Sequence, residues 1–350
     1  MFSRLLGRSG LVGVRAPDGC FWASRLATGT VTLVRTELRI ATRRSPLAMW
    51  QANHVAQLLC QVEPELDVIM VPSDTFADLD LERSIAELGG KGAFSKEIQQ
   101  VVVAGHADIA VHSAKDLQAL TPQGLTVAAY PKRGDARDAL VGITLEQLTD
   151  RLAAGDQPTL ASGSNRRRAL LLDRCPGAAF TDLRGNIATR LARLEATGDK
   201  PADLTVVDGL IMAAVALERL GLDTEIGVID HLEPDWFVPQ VGQGALAVET
   251  RTDNRELRAL VAAIDDPLTR LAVEAERSFL AELGGDCTLP AGAHATVAAV
   301  DRRVEITIRG VLADPDLAHL QRHTEVGPVD SEPGRVLART LRKALEAATS

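Results

Sequence analysis

The chain has 350 residues, 46% of them hydrophobic, which is enough for two or three domains, each with its own core. With 47 acidic against 38 basic residues the formal charge is -9, which argues against a nucleic-acid partner, because neutralising phosphate needs a net positive face. No run of 18 apolar residues occurs, so no spanning helix and no membrane partner are expected, and Cys20, Cys60, Cys175 and Cys287 show neither metal-ligand spacing nor a need for disulfide staples.

A cytoplasmic, reducing compartment fits that cysteine usage. Residues 1–35 carry Arg4, Arg8, Arg15, Arg25 and Arg35 against a single acid, Asp18, and are expected to be a disordered extension outside the fold. A transit peptide and an upstream extension from a misplaced start are both compatible with it. No apolar core of a secretory signal follows the first arginines.

From Leu38 onward short apolar runs alternate with helical patterns, which is how a wound α/β sheet reads. Residues 39–42 are a strand candidate. Ser45-Pro46 then reads as an N-cap followed by proline in the first helical turn, with Leu47, Trp50, Val55, Leu58, Leu59 and Val62 as the buried stripe. A strand over 67–71 and a Gly-rich loop, Gly89-Gly90-Lys91-Gly92, precede a helix over 95–104 that stops at Gly105. The buried strand 107–111 ends at His112-Ser113-Ala114-Lys115-Asp116.

The polar stretch 131–138 reads as a crossover. Beyond it, strand 159–161 leads through Ser162-Gly163-Ser164 into a helix bearing Arg166, Arg167 and Arg168. Strand 179–183 leads through Arg184-Gly185-Asn186 to a helix bearing Arg190, and strand 204–207 leads through Asp208-Gly209 to a helix ending at Arg219. Residues 245–248 are expected to return to the first domain as a strand. From about Asn254 an α+β unit follows, with helices before Leu283, strands 295–300 and 304–311, and a closing amphipathic helix over 333–348. In open α/β sheets ligands bind beyond the carboxyl ends of strands, so these polar turns should converge on one cleft.

Eight cations sit at those turns: Arg43, Lys91, Lys115, Arg166, Arg167, Arg184, Arg190 and Arg219. In an acidic protein that is selective placement. Helix N-termini and guanidinium forks both suit carboxylates or phosphates. Singly, each would be an ordinary surface arginine. Asp116, at the end of a buried strand among cations, stays ionised and either stabilises a cationic intermediate or forms a structural ion pair. Cys287, in Leu283-Gly284-Gly285-Asp286-Cys287-Thr288-Leu289-Pro290, lies in a loop that exposes a thiol. Nearby cations would favour the thiolate, whereas a buried, inert cysteine is the alternative. His112 reads as a satisfied strand-end histidine. Gly242 and Gly244 in Val241-Gly242-Gln243-Gly244 read as a tight turn.

The segments Ile40-Ala41-Thr42-Arg43-Arg44-Ser45-Pro46-Leu47-Ala48, Gly89-Gly90-Lys91-Gly92-Ala93-Phe94, Ala107 to Asp116, Leu183-Arg184-Gly185-Asn186 and Val241-Gly242-Gln243-Gly244-Ala245 together resemble the porphobilinogen deaminase (hydroxymethylbilane synthase) family, from Leu38 to the C-terminus. The resemblance implies two α/β domains like type II periplasmic binding proteins around a cleft, plus a smaller α+β domain. The boundaries expected are 36–132 with 238–253, then 133–237, then 254–350. It also implies a transferase of porphyrin biosynthesis that condenses four porphobilinogen molecules head to tail, with loss of ammonia, on one dipyrromethane held by a thioether to Cys287.

By position, Asp116 matches the catalytic carboxylate. Lys115, Ser164, Arg166, Arg167, Arg184 and Arg190 match the primer's carboxylate contacts. Arg43, Ser45, Lys91, Phe94, Ser162, Arg219 and Gln243 match substrate-side positions. A primer plus four units carries about twelve carboxylates, and like charges at ~4 Å repel by roughly 4 kcal/mol at an effective dielectric near 20, so a cluster of cations is needed. A cytoplasmic monomer without metal is expected. Asp286, Asn165, Ala77 and Gln118 depart from the family pattern without removing a chemical group the reading relies on. The competing reading is an organic-anion solute-binding or sensing module on the same fold, which has no use for Cys287.

Overall fold

The computed structural model describes residues 37–73, 95–183, 185–194, 206–284, 289–300 and 303–350. Strand β1 (Glu37–Arg43), helix α1 (Pro46–Val62), β2 (Asp67–Ser73), α2 (Lys96–Val103), β3 (Ile109–Ser113) and β4 (Leu125–Ala129) come first. After a crossing over 130–137 follow β5 (Asp138–Val141), α3 (Leu145–Ala153), β6 (Thr159–Ala161), α4 (Asn165–Arg174), β7 (Ala179–Thr181), α5 (Ile187–Leu191), β8 (Gly209–Ala213), α6 (Ala214–Arg219) and β9 (Ile229–Leu232). The chain then returns as β10 (Leu246–Arg251). It closes with α7 (Arg255–Ala262), α8 (Pro267–Glu282), β11 (Ala291–Val300), β12 (Arg303–Ala313), β13 (Leu320–Pro328) and α9 (Pro333–Thr349).

Three sheets result, in the orders β2-β1-β3-β10-β4, β7-β6-β8-β5-β9 and β11-β12-β13. In the first, β1 pairs parallel with β2 and β3, while β10 runs antiparallel between β3 and β4. In the second, β6 pairs parallel with β7 and β8, and β5 runs antiparallel between β8 and β9. Each α/β sheet therefore includes a strand reached by a crossing from the other, which is the type II arrangement. The carboxyl ends of β1, β3 and β6 carry the polar turns. Each unit has its own core, around Ile40, Leu59 and Val248 in the first, Leu140, Leu170 and Phe237 in the second, and Phe279, Ile308 and Leu337 in the third.

Two expectations change. Helix α1 starts as predicted, with the Ala48 N–H donating to Ser45 Oγ at 3.3 Å and Pro46 in the first turn. However, its buried face is Ala48, Gln51, Ala52, Val55, Ala56 and Leu59, and Val62 is 45% exposed. The three alanines, four apart, let the helix press close to its sheet. The larger Leu47 is left to pack against Val215 and Ala216 of α6. Of the strand expected at 204–207, residues 204 and 205 lie outside the described residues and 206 and 207 are not strand, whereas β8, Gly209–Ala213, is entirely buried. A Cβ on Gly209 would lie 2.5 Å from Ile143 and 2.9 Å from Leu160, so glycine belongs inside this sheet rather than in the turn after it. Asp208 sits at the entry of β8, where its carboxylate accepts from the Thr159 N–H at 2.7 Å.

Candidate active site

Strand β3 is buried until Ser113 and runs into a single 3-10 turn, Ala114–Asp116. That turn is clamped from the return crossing. The Ala114 N–H donates to Ala245 O at 3.0 Å, and Gln240 Nε2 donates to Lys115 O at 3.3 Å. Gly242 and Gly244 both have positive φ, at 73° and 86°. A Cβ on Gly242 would meet Ala114 C and Lys115 N at 3.0 Å, and one on Gly244 would meet Gly134 O at 2.6 Å. The expected tight turn is thus needed both for its left-handed backbone and for close approach to the Lys115–Asp116 segment.

Asp138, at the start of β5 and 0% exposed, is the hub behind that turn. Its Oδ2 accepts from Arg166 Nη2 at 2.7 Å. Its Oδ1 accepts from Arg167 Nε at 3.0 Å, Arg167 Nη2 at 2.7 Å and Gln243 Nε2 at 2.9 Å. Arg166 also donates to Val238 O at 2.6 Å and Arg167 to Ile211 O at 2.9 Å. Burial alone would raise the Asp138 carboxyl, but Arg166, Arg167 and the Gln243 hydrogen bond outweigh it and hold the group well below the usual carboxylate range. Gln243, fully buried, passes the network on, since its Oε1 accepts from Lys115 Nζ at 3.2 Å.

Lys115 and Arg190 differ from the Asp138 pair. Burial pushes the Lys115 ammonium down to about 8, with Arg167 adding to the push and Asp116 opposing it. Burial likewise pushes Arg190 down to about 10, reinforced by Arg167 and Arg43 and opposed by Asp116. Arg190 donates Nε to Gly185 O at 2.9 Å, and its terminal nitrogens meet no carboxylate among the described residues. Asp116 makes no hydrogen bond or ion pair among them either, although its charge acts on both cations. Lys115, Arg166, Arg167 and Arg190 against Asp116 and Asp138 leave two positive charges in excess.

A cavity of about 200 Å³ opens in front of this cluster. Lys115, Asp116, Ser164 and Arg166 line one side, Gln240 and Arg277 the other, and Gly284 and Leu289 border it where the third unit begins. Ser164 caps α4, its Oγ accepting from the Arg167 N–H at 3.5 Å, so its hydroxyl proton stays available.

Residues 38–259 match the family model described as "Porphobilinogen deaminase, dipyromethane cofactor binding domain", and residues 270–346 match that of the "Porphobilinogen deaminase, C-terminal domain". The porphobilinogen deaminase of Acidithiobacillus ferrooxidans is 43% identical over 279 residues, covering 80% of this chain and 86% of the relative. The chain belongs to the porphobilinogen deaminase family. The relative from Chromobacterium violaceum is 40% identical over 304 residues, covering 86% of this chain and 93% of the relative. Among solved structures, the VFT2 domain of Bordetella pertussis BvgS aligns with a TM-score of 0.37 at 16% identity, over 65% of this chain and 85% of that one. The BenM effector-binding domain with benzoate aligns at 0.37 and 11%, over 65% and 91%.

As a porphobilinogen deaminase the chain is a transferase of porphyrin biosynthesis that condenses four porphobilinogen molecules into hydroxymethylbilane, and its cofactor is dipyrromethane. The solute-binding alternative is not favoured. The residues present fit that cofactor: a four-carboxylate ligand meets excess positive charge, and the cavity runs to both borders of the segment that contains Cys287. Cys287, Arg184, Lys91 and Phe94 lie outside the described residues. No helix among the described residues is long and apolar enough to cross a membrane.

The other predicted positions fall into three groups. Arg43 ends β1 and acts electrostatically on Arg190, so it joins the cluster. Ser45 and Ser162 serve the backbone: Ser45 caps α1, and buried Ser162 accepts from the Ser164 N–H at 3.3 Å through its hydroxyl and from Arg168 through its carbonyl. Arg219 does not join the cluster. It donates Nη2 to Gly244 O at 2.7 Å and lies 5.4 Å from the centroid of the Trp50 ring, on another cavity. His112 sits inside the first sheet with Nε2 3.2 Å from Glu249 Oε2.

Asp138 was not singled out in the sequence. An acid next to a polar crossover looks like part of it, and only the apolar Ala139-Leu140-Val141 that follows hints at a buried strand.

Proposed function

We propose that Asp116 is the catalytic carboxylate of this deaminase and that Cys287 carries its dipyrromethane through a thioether. Asp116 is a carboxylate with no hydrogen-bond or ion-pair partner among the described residues, on a clamped turn at the mouth of a cation-rich cavity, and that observation carries the reading. When ammonia leaves porphobilinogen the substrate becomes a cation, and an unpaired, preorganised carboxylate stabilises developing positive charge with little reorganisation.

In this reading Lys115, Arg190, the outward donors of Arg166 and the Ser164 hydroxyl take the acetate and propionate groups, joined by Arg184. Arg167 acts through Asp138, fixing the start of α4 and, by way of Gln243, the Lys115 side chain. Arg43, Lys91 and Phe94 are assigned to incoming substrate. Bound dipyrromethane would supply the free pyrrole carbon to which the first unit is added, each later unit adding to the one before it, and its covalent tether would keep the growing chain in reach. The domains of this reading are 36–132 with 238–253, 133–237 and 254–350, in a cytoplasmic monomer that takes porphobilinogen directly.

Asp116→Asn tests the assignment. The variant should keep the wild-type melting temperature and its adduct while kcat falls at least a hundredfold, about 2.7 kcal/mol of transition-state stabilisation. Turnover within a fewfold of wild type would remove Asp116 from the chemistry.

A further inference from the structure

Behind the active-site turn lies a second, open cavity of about 700 Å³, lined by residues other than those of the first. Its walls come from both α/β units, from the outward crossing between them and from the link into the third unit. Helix α1 contributes Trp50, His54 and Leu58, the outward crossing contributes Lys132 and Gly134, α6 contributes Arg219, and the 263–266 link between α7 and α8 closes one side. Flat groups gather here: the His54 ring lies 5.0 Å from Trp50 and 11° from parallel, and the Arg219 guanidinium lies 5.4 Å from the Trp50 centroid.

The lining carries three cations, Lys132, Arg133 and Arg219, and three acids, the exposed Glu218 and, bound within the fold, Asp265 and Asp266. Arg219 is largely buried and forms no salt bridge among the described residues, and its Nη2 donates to a carbonyl, Gly244 O. Burial pushes it down to about 10, only partly offset by the exposed Glu218. Lys132 likewise has no carboxylate partner among the described residues. The nearby acids are committed. Asp265 accepts from Arg270 Nε at 2.7 Å and from the Tyr130 N–H at 2.7 Å, and Asp266 caps α8 by accepting from the Thr269 N–H at 2.7 Å. Arg133 is taken by Glu276, at 2.6 Å and 3.2 Å.

We propose that this second cavity binds a small planar aromatic carboxylate, with its ring against the Trp50–His54 stack and its carboxylate on Arg219 and Lys132, and that its occupancy is coupled to the active-site turn. The coupling has a short covalent and hydrogen-bonded route. Gly244 O accepts from both Arg219 Nη2 at 2.7 Å and the Gly134 N–H at 3.2 Å, and the preceding residue, Gln243, holds Lys115 and Asp138. A ligand that draws Arg219 toward itself alters the hold on Gly244 and, through it, the turn that carries Asp116. Such coupling is reciprocal, so substrate in the cleft must change affinity for the ligand by the same factor.

Isothermal titration calorimetry of the holoenzyme with indole-3-acetate as probe tests this. Saturable one-site binding is expected, weakened at least tenfold, about 1.4 kcal/mol, by Arg219→Met. His54→Ala, on a half-buried face that the fold does not depend on, should weaken it severalfold, and Arg190→Gln in the catalytic cavity should leave it within twofold. Saturating probe should also shift kcat or KM of wild type but not of Arg219→Met. Absence of saturable heat, equal affinity in Arg219→Met and His54→Ala, or loss of binding in Arg190→Gln overturns the site. Unchanged kinetics at saturating probe overturn the coupling.

Discussion

Two arginine-bearing stretches of the second α/β unit look alike in the sequence and behave differently in the fold. At the start of α4, Arg166 and Arg167 are closed onto Asp138, with backbone carbonyls taking further donors. In α5, Arg190 is also withdrawn from solvent, yet among the described residues its side chain donates only to the Gly185 carbonyl. The first pair holds the domain together, and the second leaves positive charge unspent where a polyanion must sit. Residue type is the same in both stretches, and the partner decides the role.

Asp138→Ala should break the comparison most visibly. It strands two buried guanidinium groups, and removing one partner of a buried ionic cluster costs about 3–5 kcal/mol, so chemical denaturation should show a loss of that size. A loss below about 1 kcal/mol would mean that Arg166 and Arg167 do not depend on Asp138. The acid side of the same cluster can be titrated. Asp138 has a depressed folded pKa, so its contribution is present above the unfolded carboxylate value near 4 and fades as pH falls below it; wild type should lose stability there faster than Asp138→Asn.

Arg190→Gln should do the reverse of Asp138→Ala. Stability should stay within about 1 kcal/mol of wild type, because the replaced charge was buried without a carboxylate, while KM for porphobilinogen rises about tenfold. A large stability loss with unchanged KM would place Arg190 among the structural arginines.

The smallest effect belongs to Lys115 in protein made without cofactor, such as Cys287→Ser. Its folded pKa, about 8, lies below the unfolded value of 10.5, so the unfolded chain binds more protons between them. Stability should therefore rise with pH across that window, relative to a Lys115→Met counterpart. A flat difference would mean that Lys115 is not destabilised by its neighbours.

Much of this was legible in advance. The Ser45 cap, the buried strand running into Lys115-Asp116 and the 241–244 turn each follow from local chemistry: a capping hydroxyl, an apolar run, glycines where φ is positive. What stayed hidden depends on distant partners. Asp138 lies 28 residues before Arg166, and nothing at either position announces the other. The face of α1 was misjudged because the helix serves two surfaces, small residues toward its own sheet and larger ones toward α6. Strand β13 escaped because its mostly exposed edge has only Leu320 and Val326 to mark it, and β5 because its first residue, Asp138, reads as the end of the polar crossover. Arg219 shares the residue type and chain setting of the cleft cations, and only its bond to Gly244 O and its place over Trp50 set it apart.

The central claim is that the positive charge left unpaired in front of Asp116 receives a carboxylate-rich ligand anchored on Cys287. Intact-protein mass spectrometry of the chain produced in a host that makes porphobilinogen tests it most directly. The account predicts a wild-type mass above that of the polypeptide by one dipyrromethane, and a Cys287→Ser variant at the polypeptide mass. A wild-type protein at the bare polypeptide mass would contradict it.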